Sequence, residues 1–123
     1  MTNRQAIGKT AYHAGEAAEH IVARDYENRG YSLVRRRWRG AGGEIDLIMR
    51  DRDNIIFVEV KKARDFHTAA ERISHRQIDR ICAGAAEFLA GEPAGQMTGA
   101  RFDVALVDQT GRFRILGNAF GQG

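Results

Sequence analysis

Glu44, Asp46, Glu59 and Lys61 are the residues of this 123-residue chain whose types and spacing best suit chemistry. They lie in two β-rich runs, Gly43-Glu44-Ile45-Asp46-Leu47-Ile48-Met49 and Ile55-Ile56-Phe57-Val58-Glu59-Val60-Lys61. The charged, turn-forming Arg50-Asp51-Arg52-Asp53-Asn54 separates them, so the segment reads as a β-hairpin. With a four-residue loop from Asp51 to Asn54 and Arg50 opposite Ile55, Asp46 falls opposite Glu59 and Glu44 opposite Lys61. Directly opposed residues stand about 4.5–5.5 Å apart at Cβ, close enough for two carboxylates to hold one divalent cation.

That register sorts the side chains. Ile45, Leu47, Met49, Ile56, Val58 and Val60 share one wholly apolar face, while the other carries Ile48, Ile55 and Phe57 near the turn and the charged residues at the open end. A strand covered on both sides carries such charges only if they are paired or hold an ion. Two readings fit: a cation site, or an ordinary Glu44–Lys61 ion pair with Asp46 and Glu59 at a solvated edge, worth about 0–1 kcal/mol. Opposed like charges flanked by apolar residues speak against the second.

The elements around the hairpin must frame it. Ala11, Ala14, Gly15, Ala18, Val22 and Tyr26 recur at helical spacing, predicting a helix over 11–29 that Gly30 stops. Glu19 falls on the border of that stripe, where an ordinary surface acid and a site residue look alike, and Glu16 falls toward solvent. A short strand, Tyr31-Ser32-Leu33-Val34, leads into Arg35, Arg36, Arg37, Trp38 and Arg39 and the glycine-rich stretch 40–43. This cluster either grips a phosphate backbone and stacks on a base, or is a solvated patch whose tryptophan folds back onto the core.

After the hairpin, residues 62–68, with Lys62 and Arg64, read as a basic loop. A second helix starts after Ser74, with Gln77 completing a capping box and Arg76 available to phosphate at the helix start. Its buried face is Ile78, Ile81, Cys82, Ala85, Ala86, Phe88 and Leu89, and 91–93 end it. Two strands, 101–107 and 112–116, follow with a turn between them. Val104, Leu106, Phe113, Ile115 and Phe120 serve either the core or self-association. The order helix, three strands, helix, two strands predicts an α/β mixed sheet flanked by helices, one domain over 1–123.

Composition narrows the partners. The net charge is +3, the pI is about 9.4, and sixteen of the nineteen basic residues are arginine, which suits a polyanion. No apolar run approaches the ~18 residues of a membrane span, and the start has no apolar stretch of a secretory signal. The lone Cys82 forms no internal disulfide, and a reducing cytoplasm suits it. The four histidines show no metal-ligand spacing with Cys82, so zinc is not expected, and neither a phosphate-binding loop nor a dinucleotide fingerprint is present.

Asp on the second strand and Glu-x-Lys on the third resemble the core of the PD-(D/E)xK nuclease superfamily, the restriction-endonuclease-like fold. More closely, the chain resembles the YraN-type bacterial family, which is related to archaeal Holliday junction resolvases. The likeness rests on Gly15-x-x-Ala18-Glu19, Gly30-Tyr31, Gly43-Glu44-Ile45-Asp46-Leu47-Ile48, Phe57-Val58-Glu59-Val60-Lys61, Arg80, Arg101-Phe102-Asp103-Val104 and Asn118-Ala119-Phe120. It implies a metal-dependent endonuclease acting on branched or structured DNA, with Asp46 and Glu59 ligating Mg²⁺ or Mn²⁺ and Lys61 orienting a water or neutralising charge on the phosphate. It also raises Glu19 to a site acid and implies a homodimer. The chain departs from the pattern in the basic residue after Lys61, displaced to Arg64, and in Gln77, where relatives carry lysine. The alternative is a nucleic-acid-binding module without turnover.

Overall fold

In a computed structural model, which describes the backbone of residues 3–120 and the side chains of 15–120, the hairpin forms β2 (Glu44–Asp51) and β3 (Asn54–Lys62). The register is the expected one, with Arg50 opposite Ile55 and Leu47 opposite Val58. The loop is shorter than expected. Asp51 pairs with Asn54, leaving a two-residue turn in which Arg52 takes φ 60°, the left-handed backbone that tight hairpins demand.

These strands lie in a five-stranded sheet ordered β1 (Ser32–Arg39), β2, β3, β4 (Ala100–Val107), β5 (Phe113–Leu116). Only the β3–β4 pair is parallel. A parallel neighbour requires a crossover, and here it carries α2 (Phe66–Glu71) and α3 (His75–Leu89). The order and mixed sheet are those expected, with one short helix added. Asp65 accepts the Thr68 N–H and caps α2, so the expected basic loop is helical from Phe66 onward.

The helix α1 (Asn3–Asn28) begins well before the expected start. The side chains of Ala11, His13 and Ala14 lie outside the described residues. Ala18, Val22, Ala23 and Tyr26 pack on Leu47, Met49, Ile56 and Val58, and small residues at the helical spacing let α1 sit close to the sheet. On the opposite face Ala85 and Leu89 of α3 pack on Ile45, Ile48, Ile55 and Phe57, while Ala63 and Ala69 meet Val104 and Leu106. Of the five residues offered for self-association, Val104 and Leu106 are therefore core, whereas Phe113 is 37% exposed.

Two expectations about faces are overturned. Ile45 joins Ile48 in the cluster beneath α3 instead of Leu47 beneath α1, so the alternation of β2 breaks between Ile45 and Leu47. In α3, Cys82 and Ala86 face solvent and Gly84 is buried. The cause is glycine contact. A Cβ on Gly84 would lie 3.6 Å from the Gly43 carbonyl oxygen, and one on Gly43 would lie 2.5 Å from that of Arg80, so the helix turns its smallest side toward the β1–β2 loop. Gly43→Ala is expected to cost about 1–3 kcal/mol, read as a lowered melting temperature, because backbone on both sides of that contact has to move.

Outside the hairpin, one buried network joins α1 to the far strands. The Tyr26 hydroxyl donates to Asp103, Arg101 Nε donates 3.0 Å to Asp103 Oδ1, and the Asn118 N–H donates 2.9 Å to the same oxygen. Burial together with this bond to Asp103 pushes the Tyr26 hydroxyl pKa far above its ordinary value. No helix among the described residues is long and apolar enough to cross a membrane.

Candidate active site

The pairing of β2 with β3 runs from Asp51–Asn54 to Leu47–Val58 and goes no further. Beyond it the carboxylate of Asp46 stands in for a ladder partner, Oδ2 accepting the Val60 N–H at 2.8 Å. Side chain replaces main chain at the point where the alternation of β2 fails, so the Asp46 carboxylate is held to the backbone of the opposite strand. Glu59 sits beside it, only 5% exposed.

Glu59 is held from two further directions. Gln77 Nε2 donates to Glu59 Oε2, and Lys61 Nζ lies 3.4 Å from the same oxygen. Burial, and then the neighbouring Asp46 by hydrogen bond and by charge, push the Glu59 pKa up to about 9, while Lys61 pulls it down. The two influences conflict: an ammonium at 3.4 Å favours the ionised acid, and burial beside a second carboxylate disfavours it. Burial prevails, because one ammonium at 3.4 Å does not replace the lost hydration of a carboxylate facing another.

Asp46, Glu59 and Lys61 stand in a cleft of about 520 Å³ between α1 and the start of α3. Glu19 reaches it from α1, 7% exposed, its Oε1 accepting Arg37 Nε at 2.8 Å. Burial raises the Glu19 pKa, with Asp46 adding to the rise and Arg37 opposing it. Glu44 also lines the cleft, but its carboxylate pairs with Arg39 at 2.9 Å and not with Lys61, one of the two roles that the register left open for it. Among the described residues, no three His, Cys, Asp or Glu side chains converge closely enough to hold one ion.

The cationic residues divide. Lys62 and Arg76 line the cleft, and so does Arg80, one helical turn beyond Arg76, which the spacing alone did not single out as a site residue. Arg64 is exposed and pairs with Asp65 at 3.3 Å, away from the cleft lining. The arginine-rich cluster is the second half of β1 and not a loop after it. Arg35 is exposed, Arg36 Nη2 lies 2.9 Å from His20 Nε2, and Trp38 packs edge-on against Phe88 with ring centroids 5.7 Å apart. The tryptophan thus folds back onto the core, the second of its two readings.

Gln77 departs from the capping box. Its backbone N–H does donate to Ser74 Oγ at 3.1 Å, but its side chain goes to Glu59 and leaves the helix start. Nothing local signals that contact, since the partners belong to elements joined only through the crossover. What the cleft offers chemically is a pair of facing oxygen acids, one ammonium against them, and guanidinium groups at the mouth.

Comparison with known proteins places the chain among relatives. A UPF0102 protein of Ruegeria pomeroyi is 66% identical over 110 residues, covering 89% of each chain. One from Cereibacter sphaeroides is 57% identical over 113 residues, covering 92% of this chain and 97% of its own, and one from Roseobacter denitrificans is 53% identical over 120 residues, covering 98% and 93%. The sequence model of the same family matches residues 18–107, a span that begins on the buried turn of α1 bearing Glu19 and ends with β4, taking in every residue of the cleft lining except Gly15. The chain therefore belongs to the uncharacterised protein family UPF0102.

Proposed function

We propose that this protein is a divalent-cation-dependent endonuclease that hydrolyses phosphodiester bonds in structured or branched DNA. The observation that carries the reading is the pair of half-buried Asp46 and buried Glu59 with Lys61 against it, at the floor of a cleft whose mouth is basic. The donor set fits Mg²⁺ or Mn²⁺: both acids are hard oxygen donors, and among the described residues no histidine or cysteine lines the cleft. A buried Glu59 whose proton affinity is raised by the carboxylate beside it is relieved by a double positive charge. That no three acids converge among the described residues agrees with Mg²⁺, which keeps several waters and binds through one or two carboxylates and substrate phosphate.

The chemistry such an ion supplies is polarisation of the phosphate and a water of lowered pKa. The protein's residues do the rest. Asp46 and Glu59 fix the geometry, and Gln77 and the Val60 N–H hold them in it. Lys61 places an ammonium where negative charge grows on the phosphate oxygens. Lys62, Arg76 and Arg80 receive the flanking phosphates, sequence-independently. The preference for branched DNA rests on the resemblance to junction resolvases.

The test is cleavage of a labelled panel holding a four-way junction, a flap, a single strand, a linear duplex and an RNA hairpin, with Mg²⁺ or Mn²⁺. Cutting of DNA that needs both the ion and Glu59 supports the reading, and the best-cut member identifies the substrate class. Binding of the panel without cutting under either ion overturns it in favour of a nucleic-acid-binding module.

A further inference from the structure

Arg36 and Arg37 are successive residues of one strand, and successive strand residues point to opposite faces. Here both reach α1: Arg36 Nη2 lies 2.9 Å from His20 Nε2, and Arg37 Nε donates 2.8 Å to Glu19 Oε1. The exception has a visible backbone cause. Arg37 takes φ 50°, a left-handed conformation that a non-glycine residue with a long side chain adopts only when its surroundings enforce it. The guanidinium lies along α1, within van der Waals reach of Gly15 one turn before Glu19, where a Cβ would stand 3.9 Å from Arg37 Nη2.

The strained conformation brings the Arg37 guanidinium to Glu19. Glu19 is an acid whose side chain is 9% exposed, facing the cleft that holds Asp46 and Glu59, yet the three acids do not converge on one point. A carboxylate so placed reaches the water shell of an ion between Asp46 and Glu59 more readily than the ion itself. Its orientation decides whether it can accept from that shell, and one of its oxygens is pinned by Arg37. Groups of this kind, which aim the partners of a bound ion, typically change affinity or activity by about 10–100-fold when removed.

We infer that Arg37 is a positioning residue for the cation site: its strained strand conformation holds Glu19 toward the cleft, where the carboxylate accepts from water bound to the ion. The inference rests on the cation reading of Asp46 and Glu59. It differs from a general charge effect in sign. Removing a positive charge near a cation site tightens cation binding by electrostatics alone, whereas removing the group that aims Glu19 weakens it.

Mn²⁺ titration without DNA, followed by the electron paramagnetic resonance of the free ion, tests this on the full chain. Arg37→Ala is expected to weaken Mn²⁺ binding about tenfold or more, and Arg37→Lys, which keeps one donor, to recover part of the loss. In a Glu19→Gln background, Arg37→Ala is expected to add no further loss, because the two residues act as one unit. His20→Ala removes the neighbouring β1–α1 contact without touching Glu19 and is expected to leave Mn²⁺ affinity unchanged. Melting curves on each variant confirm folding. Unchanged or tighter binding in Arg37→Ala, an equal loss in His20→Ala, or an undiminished loss in the Glu19→Gln background would overturn the inference. If the parent protein binds no Mn²⁺, or if binding survives Glu59→Gln, the cation reading itself fails first, which separates the two.

Discussion

Glu59→Gln is expected to fold more stably than the parent at neutral pH and to bind no divalent cation. The side chain is isosteric, and its amide can donate to Asp46 without the proton that the parent acid must take up to make the same bond, so folding no longer depends on that uptake. In the parent, the native pKa of Glu59 stands near 9 against an ordinary 4.5. Between those values the folded state holds a proton that the unfolded state has released, so the contribution of this group to stability is full below pH 4.5 and falls as pH rises toward 9. Chemical denaturation at pH 5 and pH 8 without metal checks this. The parent should lose stability across the interval, Glu59→Gln should lose less, and at pH 8 the variant should be the more stable by about 1–2 kcal/mol. Saturating Mg²⁺ should reverse the order, stabilising the parent alone.

Lys61→Ala is expected to separate binding from chemistry. Its ammonium stands 3.4 Å from Glu59 Oε2 and is one-fifth exposed at the cleft floor, so its removal takes positive charge away from both the ion and the reacting phosphate. The ion gains from that change and the developing phosphate charge loses. Mn²⁺ affinity should be retained or improved, while the single-turnover cleavage rate should fall by about 10²–10³-fold, the usual cost of one charge-stabilising donor. Equal loss of ion affinity and rate would mean that Lys61 acts through the fold of the site and not on the phosphate.

Both expectations concern residues already visible in the sequence, and the reason is physical. The hairpin register follows from apolar alternation, which a one-residue slip would turn inside out, and that register sets Asp46 beside Glu59. The Ser74 cap of α3 was legible for a similar reason, since a helix start needs an acceptor for its free N–H groups. The break in β2 was not legible, because it is caused by the Asp46 side chain taking the Val60 N–H of the opposite strand. The length of β1 was hidden by the composition of Arg35 to Arg39: an edge strand with one solvated side can carry arginines where a central strand cannot. The exposure of Cys82 follows from Gly43 meeting the Arg80 backbone, a long-range contact that no helical periodicity contains. The Gln77–Glu59 and Arg37–Glu19 contacts likewise join separate elements, and spacing along the chain says nothing about them.

The account stands on Asp46 and Glu59 sharing a divalent cation, and calorimetric titration of Mn²⁺ into the protein at pH 7 tests it most directly, run in two buffers of different ionisation enthalpy. Because Glu59 holds a proton in burial without the ion, binding should release close to one proton per site, seen as a buffer-dependent heat. The expected result is one saturable site with that proton release, both lost in Glu59→Gln. Absence of binding, or binding unchanged in heat and affinity by the substitution, would contradict the account.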